Sequence, residues 1–248
     1  MQIIISPAKK MKIDTDSFVW KDLPAFLDRT EELFTRLKGL SYEELKALWK
    51  CSDKIAAQNM ERLQTLDLRT SLTPAVMAYE GIQYQYMAPG VFTKKALDYV
   101  QAHLRILSGF YGLLRPFDGV IPYRLEMQAK LAVGDAKDLY AFWGDSLAKA
   151  LWSQGDIVIN LASKEYSQCI SPFIPEGRQL ITCTFGERNG KKIIEKGTMC
   201  KMARGEMVRY LAETQAKIPD QLKEYRPMGY CFSDEDSTET NYVFIKED

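Results

Sequence analysis

Five short stretches of this 248-residue chain hold residue types that can bind an anion or move a proton. The first, Ser6-Pro7-Ala8-Lys9, follows a run of three isoleucines. Pro7 cannot donate to a sheet ladder, so a strand must end there. Loops at strand ends are where open α/β sheets take ligands, which makes Ser6 and Lys9 candidates for holding phosphate; an ordinary loop lysine is the plainer alternative. The second stretch, Leu107-Ser108-Gly109-Phe110-Tyr111-Gly112-Leu113-Leu114-Arg115, has two apolar arms joined through glycines. It reads as a helix-hairpin-helix-like segment near 97–118. Gly109 and Gly112 would let backbone N–H groups approach DNA phosphates, with Arg115 beside them. The glycines stand wider apart than such hairpins use, and a plain turn between core elements is the competing reading.

In the third stretch, Pro122-Tyr123-Arg124-Leu125-Glu126-Met127, alternation puts Arg124 and Glu126 on one face. Such a pair is commonly plain surface. Inside a cleft, Arg124 would meet an anion and Glu126 would serve as acid or base. In the fourth, a strand ends at Asn160 and Ser163 is placed to cap a short helix containing Tyr166. That helix start would accept an anion, although simple capping is the plainer local explanation of the pattern. Glu126, Ser163 and Tyr166 are the candidate catalytic groups. In the fifth, Lys201, Arg204 and Gly205 are neighbours on a helix. A helical Gly costs up to about 1 kcal/mol relative to Ala, so another backbone or a ligand is expected to come close at Gly205.

These residues need a frame. Helical spacing of apolar residues predicts helices over about 22–38, after Ser41, from Thr73-Pro74, over Thr93 to His103, over 138–153 and along Met199–Leu211. Strands are predicted at Gln2–Ile5, at Asp156–Asn160, at Arg178–Phe185 with a hairpin turn into Lys191–Lys196, and at two late segments near Met228–Phe232 and Tyr242–Lys246. The expected architecture is a single mixed α/β (α+β) domain over 1–248, a central mixed sheet wrapped by helices.

Lys plus Arg and Asp plus Glu both number 33, so a generic polyanion binder is disfavoured. Charge is nevertheless uneven. Residues 188–209 are basic and the last eighteen residues are acidic, which suits an anion-binding face with an acidic tail elsewhere, although solvated helix and hairpin surface is the plainer reading of composition alone. No stretch has the length of an export signal or a membrane span, so the expected location is the cytoplasm, away from membranes. Five cysteines without a C-x-x-C pair, and one histidine, His103, make a metal site improbable. The thiols are expected to be free and without a catalytic part.

Taken together, SPAK (6–9), LSGFYGLLRPFD (107–118), PYRLEM (122–127), FWGD (142–145), NLASKEY (160–166), ARG-M (203–207) and GY-F with VF (229–244) resemble the YaaA peroxide-stress family over nearly the whole chain. One departure is Lys10-Met11, where many members are expected to carry Thr-Leu. The resemblance implies a cytosolic bacterial protein that limits peroxide damage and lowers available intracellular iron. It also implies an unusual fold with a helix-hairpin-helix and a positively charged, DNA-binding cleft. Iron storage is disfavoured, because a di-iron helix pair needs repeated Glu-x-x-His patterns.

Two functions stay open. One is a DNA-binding protector, monomeric and without cofactor, that holds duplex DNA in a basic cleft with little sequence preference. The other is an enzyme acting on a nucleobase, nucleotide or other phosphate-bearing substrate in the same cleft.

Overall fold

Residues 1–190 and 192–247 are described by a computed structural model. Its centre is an eight-stranded mixed sheet. The strand order is Tyr230–Phe232, Asn241–Lys246, Gln179–Asn189, Ile157–Leu161, Gln2–Ile5, Leu104–Ser108 and Gly112–Leu114, with Lys192–Ile194 paired to Gln179–Asn189. The five inner strands, from Asn241–Lys246 to Leu104–Ser108, run parallel, and the pairs at both edges are antiparallel. Ile3 faces Leu104 on one side and Ile159 on the other. Ile3, Ile4 and Ile5 are all fully buried. A central parallel strand covered on both faces requires such a continuous apolar run, and each buried side chain contributes about 1.5–3 kcal/mol.

Helices wrap the sheet. Leu27–Lys38 starts later than the spacing predicts, leaving Leu23 partly exposed. Tyr42–Trp49 has the expected capping box, with Ser41 and Glu44 bonding each other's backbone N–H. Lys94–His103 is capped by Thr93, and Gly197–Thr214 is the long late helix. The 138–153 segment is two helices, Leu139–Trp143 and Ser146–Trp152, because Gly144 takes a positive φ of 52° between them. Thr73–Pro74 pairs with Gly119–Val120 before a single helical turn, Ala75–Ala78. Asp53–Thr65 is a helix that the spacing reading passed over. No helix among the described residues is long and apolar enough to cross a membrane.

Two expectations are corrected here. The helix-hairpin-helix near 97–118 is instead the helix Lys94–His103 followed by a β-hairpin, Leu104–Ser108 against Gly112–Leu114. Every residue from Leu104 to Leu114 is buried. A continuous apolar run of that length fits a buried strand as well as a helix, and periodicity alone does not separate them. Nor do the acidic end and the basic segment stand apart, since Arg188 pairs with Asp236. The expected start of the hairpin's second arm at Lys191, and Asp248 of the acidic end, lie outside the described residues.

Candidate functional site

The loops leaving Gln2–Ile5 and Ile157–Leu161 meet at the carboxyl ends of two adjacent parallel strands. Ser163 N–H donates to Ser6 Oγ at 2.8 Å, and the two hydroxyls lie 3.2 Å apart. Strand order reverses about Gln2–Ile5: Leu104–Ser108 lies on one side, Ile157–Leu161 and Gln179–Asn189 on the other. Beyond such a reversal a crevice opens. Here it is a cleft of about 410 Å³, within the range of small-molecule sites.

Carboxylates and their partners form one cluster in the cleft. Glu126 pairs with Lys9 at 2.9 Å and with Arg124 at 3.4 Å. Arg124 also donates to the carbonyl of Trp49, the last residue of its helix, at 3.3 Å. Glu165 accepts the Gln128 N–H at 3.3 Å. Burial pushes its carboxyl above the ordinary range, and the neighbouring Glu126 adds to the rise. Tyr166 is buried beside Tyr123 and Glu165; burial, then those neighbours, push its hydroxyl far above its ordinary value.

Cations arrive from the Gly197–Thr214 helix, where Lys201 and Arg204 are one turn apart and both line the cleft. Arg204 is mostly buried and reaches one acid, Glu195, at 3.7 Å. Lys201 is exposed and has no ion-pair partner among the described residues. Gln83, on Ile82–Met87, lines the same cleft.

Three buried donors on these residues, Arg124 Nε, Arg204 Nε and Gln83 Nε2, have no hydrogen-bond partner among the described residues. An unsatisfied buried donor costs about 1–3 kcal/mol. The lining cations Lys9, Lys10, Arg124, Lys201 and Arg204 outnumber the acids Glu80, Glu126 and Glu165, and Glu165 is pushed toward its neutral form. The cleft therefore suits an acceptor-rich, anionic group.

Of the residues singled out from sequence, Ser6, Lys9, Arg124, Glu126, Ser163, Tyr166, Lys201 and Arg204 come together here. Five do not. Asn160 is buried at the strand end, bonding Thr182 Oγ1 and the Ala162 N–H. A methyl on Gly109 would strike the Leu125 carbonyl at 2.7 Å, and Gly112, with φ of 74°, packs on Leu147 and Trp143. Both glycines serve internal packing, so the expected approach of their backbone to phosphate is corrected: protein already fills that space. Arg115 is exposed away from the cleft and faces Asp22 at 3.7 Å. Gly205 is occupied by protein as well, meeting the backbone of Gln83. Ser163 heads its short helix without a side-chain capping bond.

Sequence reasoning missed Glu165, Gln83, Tyr84 and Tyr123. Glu165 stands two residues after Ser163, inside a motif already singled out. Tyr84 donates its hydroxyl to the Ser6 carbonyl at 2.9 Å, a contact from a short helix with no local sequence signal. Among the described residues no group of three or more His, Cys, Asp or Glu is arranged to hold a metal ion.

The family profile described as peroxide stress protein YaaA matches residues 1–236. A UPF0246 protein of Agathobacter rectalis is 54% identical over 247 residues, covering 100% of this chain and 99% of the relative. One from Lachnoclostridium phytofermentans is 52% identical over 246 residues, covering 99% and 96%. Another from Pediococcus pentosaceus is 52% identical over 248 residues, covering 100% and 99%.

Proposed function

This chain belongs to the YaaA peroxide-stress family, and from that membership and the geometry of the cleft we propose that it binds and acts on a small phosphate-bearing molecule, a nucleotide or a nucleobase derivative. The observation that carries this reading is the excess of cations, Lys9, Lys10, Arg124, Lys201 and Arg204, over the acids Glu80, Glu126 and Glu165 in a cleft of about 410 Å³, too small for a duplex. Arg204 and Lys201 would take the anionic group, Arg as a planar fork and Lys as a point charge. Glu126 sits between two cations while Glu165 is pushed toward its protonated form. Two carboxylates in unlike surroundings can divide the roles of base and acid. The reading is tested by thermal-shift titration with orthophosphate, nucleobases, nucleosides and nucleoside monophosphates. It expects saturable stabilisation by the phosphate-bearing members; stabilisation by none of them would refute it.

A second reading, binding of duplex DNA, is favoured by the exposure of Lys9, Lys10 and Lys201 around the same cleft. An extruded base would fill the cleft while these lysines hold the flanking phosphates. Protection against peroxide and a lowered pool of available iron would be cellular consequences of either activity, exerted in the cytoplasm.

A further inference from the structure

The hydroxyls of Ser108 and Tyr79, both buried, and of the cleft-lining Tyr123 form a short chain, and valence fixes its direction. Ser108 Oγ accepts the N–H groups of Phe110 at 3.1 Å and Tyr111 at 2.9 Å. Both of its lone pairs are then used. Its own proton must go to Tyr123 Oη, 2.6 Å away. Tyr79 Oη lies 2.8 Å from the same oxygen, its one hydrogen-bond partner among the described residues, and Tyr79 is 3% exposed. Were Tyr123 to donate to Tyr79, the Tyr79 proton would be buried without an acceptor, the costly case for a polar group. With Tyr79 donating to Tyr123, that penalty disappears. The proton left over belongs to Tyr123, which lines the cleft.

The Tyr123 ring is held in place. It stacks on Phe110 at 4.9 Å and meets Tyr111 edge-on at 5.4 Å. We propose that Tyr123 is a proton donor of the cleft, distinct from the two carboxylates: its oxygen accepts from Ser108 and Tyr79, and its O–H serves a phosphoryl or carbonyl oxygen of the bound molecule. This rests on the reading of the cleft as a small-molecule site. As negative charge develops on the ligand oxygen, the Tyr123 O–H bond breaks and an O–H bond forms on the ligand. The phenolate charge stays between two hydroxyl donors, as in an oxyanion hole. Burial pushes the Tyr123 phenol up to about 12, while Ser108 and Tyr79 pull it down; Tyr79, Tyr84 and Tyr166 are also raised above the ordinary phenol value, chiefly by burial.

Two experiments on the full chain test this. In the first, trifluorotyrosine, whose phenol ionises near neutral pH, is placed singly at position 123 or 79 and titrated by absorbance. Position 123 is expected to ionise first, and Ser108→Ala to weaken its acidity about tenfold through loss of one donor. Earlier ionisation at position 79, or no effect of Ser108→Ala, overturns the proposal whatever the cleft binds. The second is calorimetric titration with adenosine monophosphate. Tyr123→Phe is expected to weaken binding about tenfold. Ser108→Ala and Tyr79→Phe are expected to weaken it severalfold in the parent and not at all in the Tyr123→Phe background. Losses that add would mark Ser108 and Tyr79 as merely structural and overturn the proposal. Absence of binding by the parent, with position 123 ionising first, would refute the ligand class and leave Tyr123 as the donor.

Discussion

A methyl group placed on Gly205 would sit 2.1 Å from the carbonyl oxygen of Gln83. The Gly197–Thr214 helix therefore rests directly on the backbone of Ile82–Met87, and that contact puts Gln83, Lys201 and Arg204 on one cleft. Gly205→Ala must push the two helices apart. The expected loss is about 1–3 kcal/mol of stability, as for overpacking a core. Gly197→Ala in the same helix, with nothing within 4 Å of the added methyl, should hold or raise stability by up to about 1 kcal/mol. Chemical denaturation of the two variants checks this; equal effects would contradict the close-approach account.

Asp118 gives a pH dependence of known sign. It is 2% exposed and accepts the Arg115 N–H at 2.8 Å. Burial pushes its carboxyl from 3.8 to about 7. Between those values the folded chain binds more protons at this site than the unfolded chain, so its contribution to stability falls as pH rises through that window. In Asp118→Asn, which keeps an acceptor, this part of the slope should vanish. Urea midpoints measured across the window test it, and a slope unchanged in the variant would contradict it.

The thiols are expected to be bystanders. Burial pushes Cys169 and Cys183 up to about 12 and Cys200 to about 11, so none of the three is a thiolate at neutral pH. Cys200 donates its S–H to the Phe185 carbonyl. Replacing all five cysteines by Ala or Ser, in a variant that stays folded, should leave peroxide protection intact. Loss of protection traced to one cysteine would point to a redox sensor instead.

How far the sequence was legible depended on range. Local signals read well: the Ser41–Glu44 capping box, the buried Ile3–Ile5 run and the break at Pro7 appear as expected. Leu104–Leu114 misled, because an apolar run with glycines looks alike on a buried strand pair and on paired helices. A helical Gly205 beside two cations marks a close approach, yet sequence does not say whether ligand or protein fills the space. Tyr84 and Tyr123 carry no local signal because their partners, Ser6 and Ser108, are distant in sequence, and Gln83 reaches the cleft only through the packing of its helix on Gly205.

If the DNA reading holds, the lysines and arginines act on phosphates, and affinity should fall with salt at a slope of roughly −0.9 per phosphate neutralised. Lys201→Ala should flatten that slope by about one without changing sequence preference. Gly109→Ala and Gly112→Ala should lower stability, because both glycines are packed internally, and should leave the salt slope unchanged. Anisotropy over a salt series checks both; salt-insensitive binding, or none at low salt, removes the DNA reading.

The most direct test of the cleft's role is calorimetric titration of adenosine monophosphate into the parent and into Arg204→Ala, with folding of both verified. The account predicts one saturable site per chain, weakened in the variant by about tenfold or more through loss of a charge-assisted contact. Equal binding by parent and variant, or no saturable binding by the parent, would contradict it.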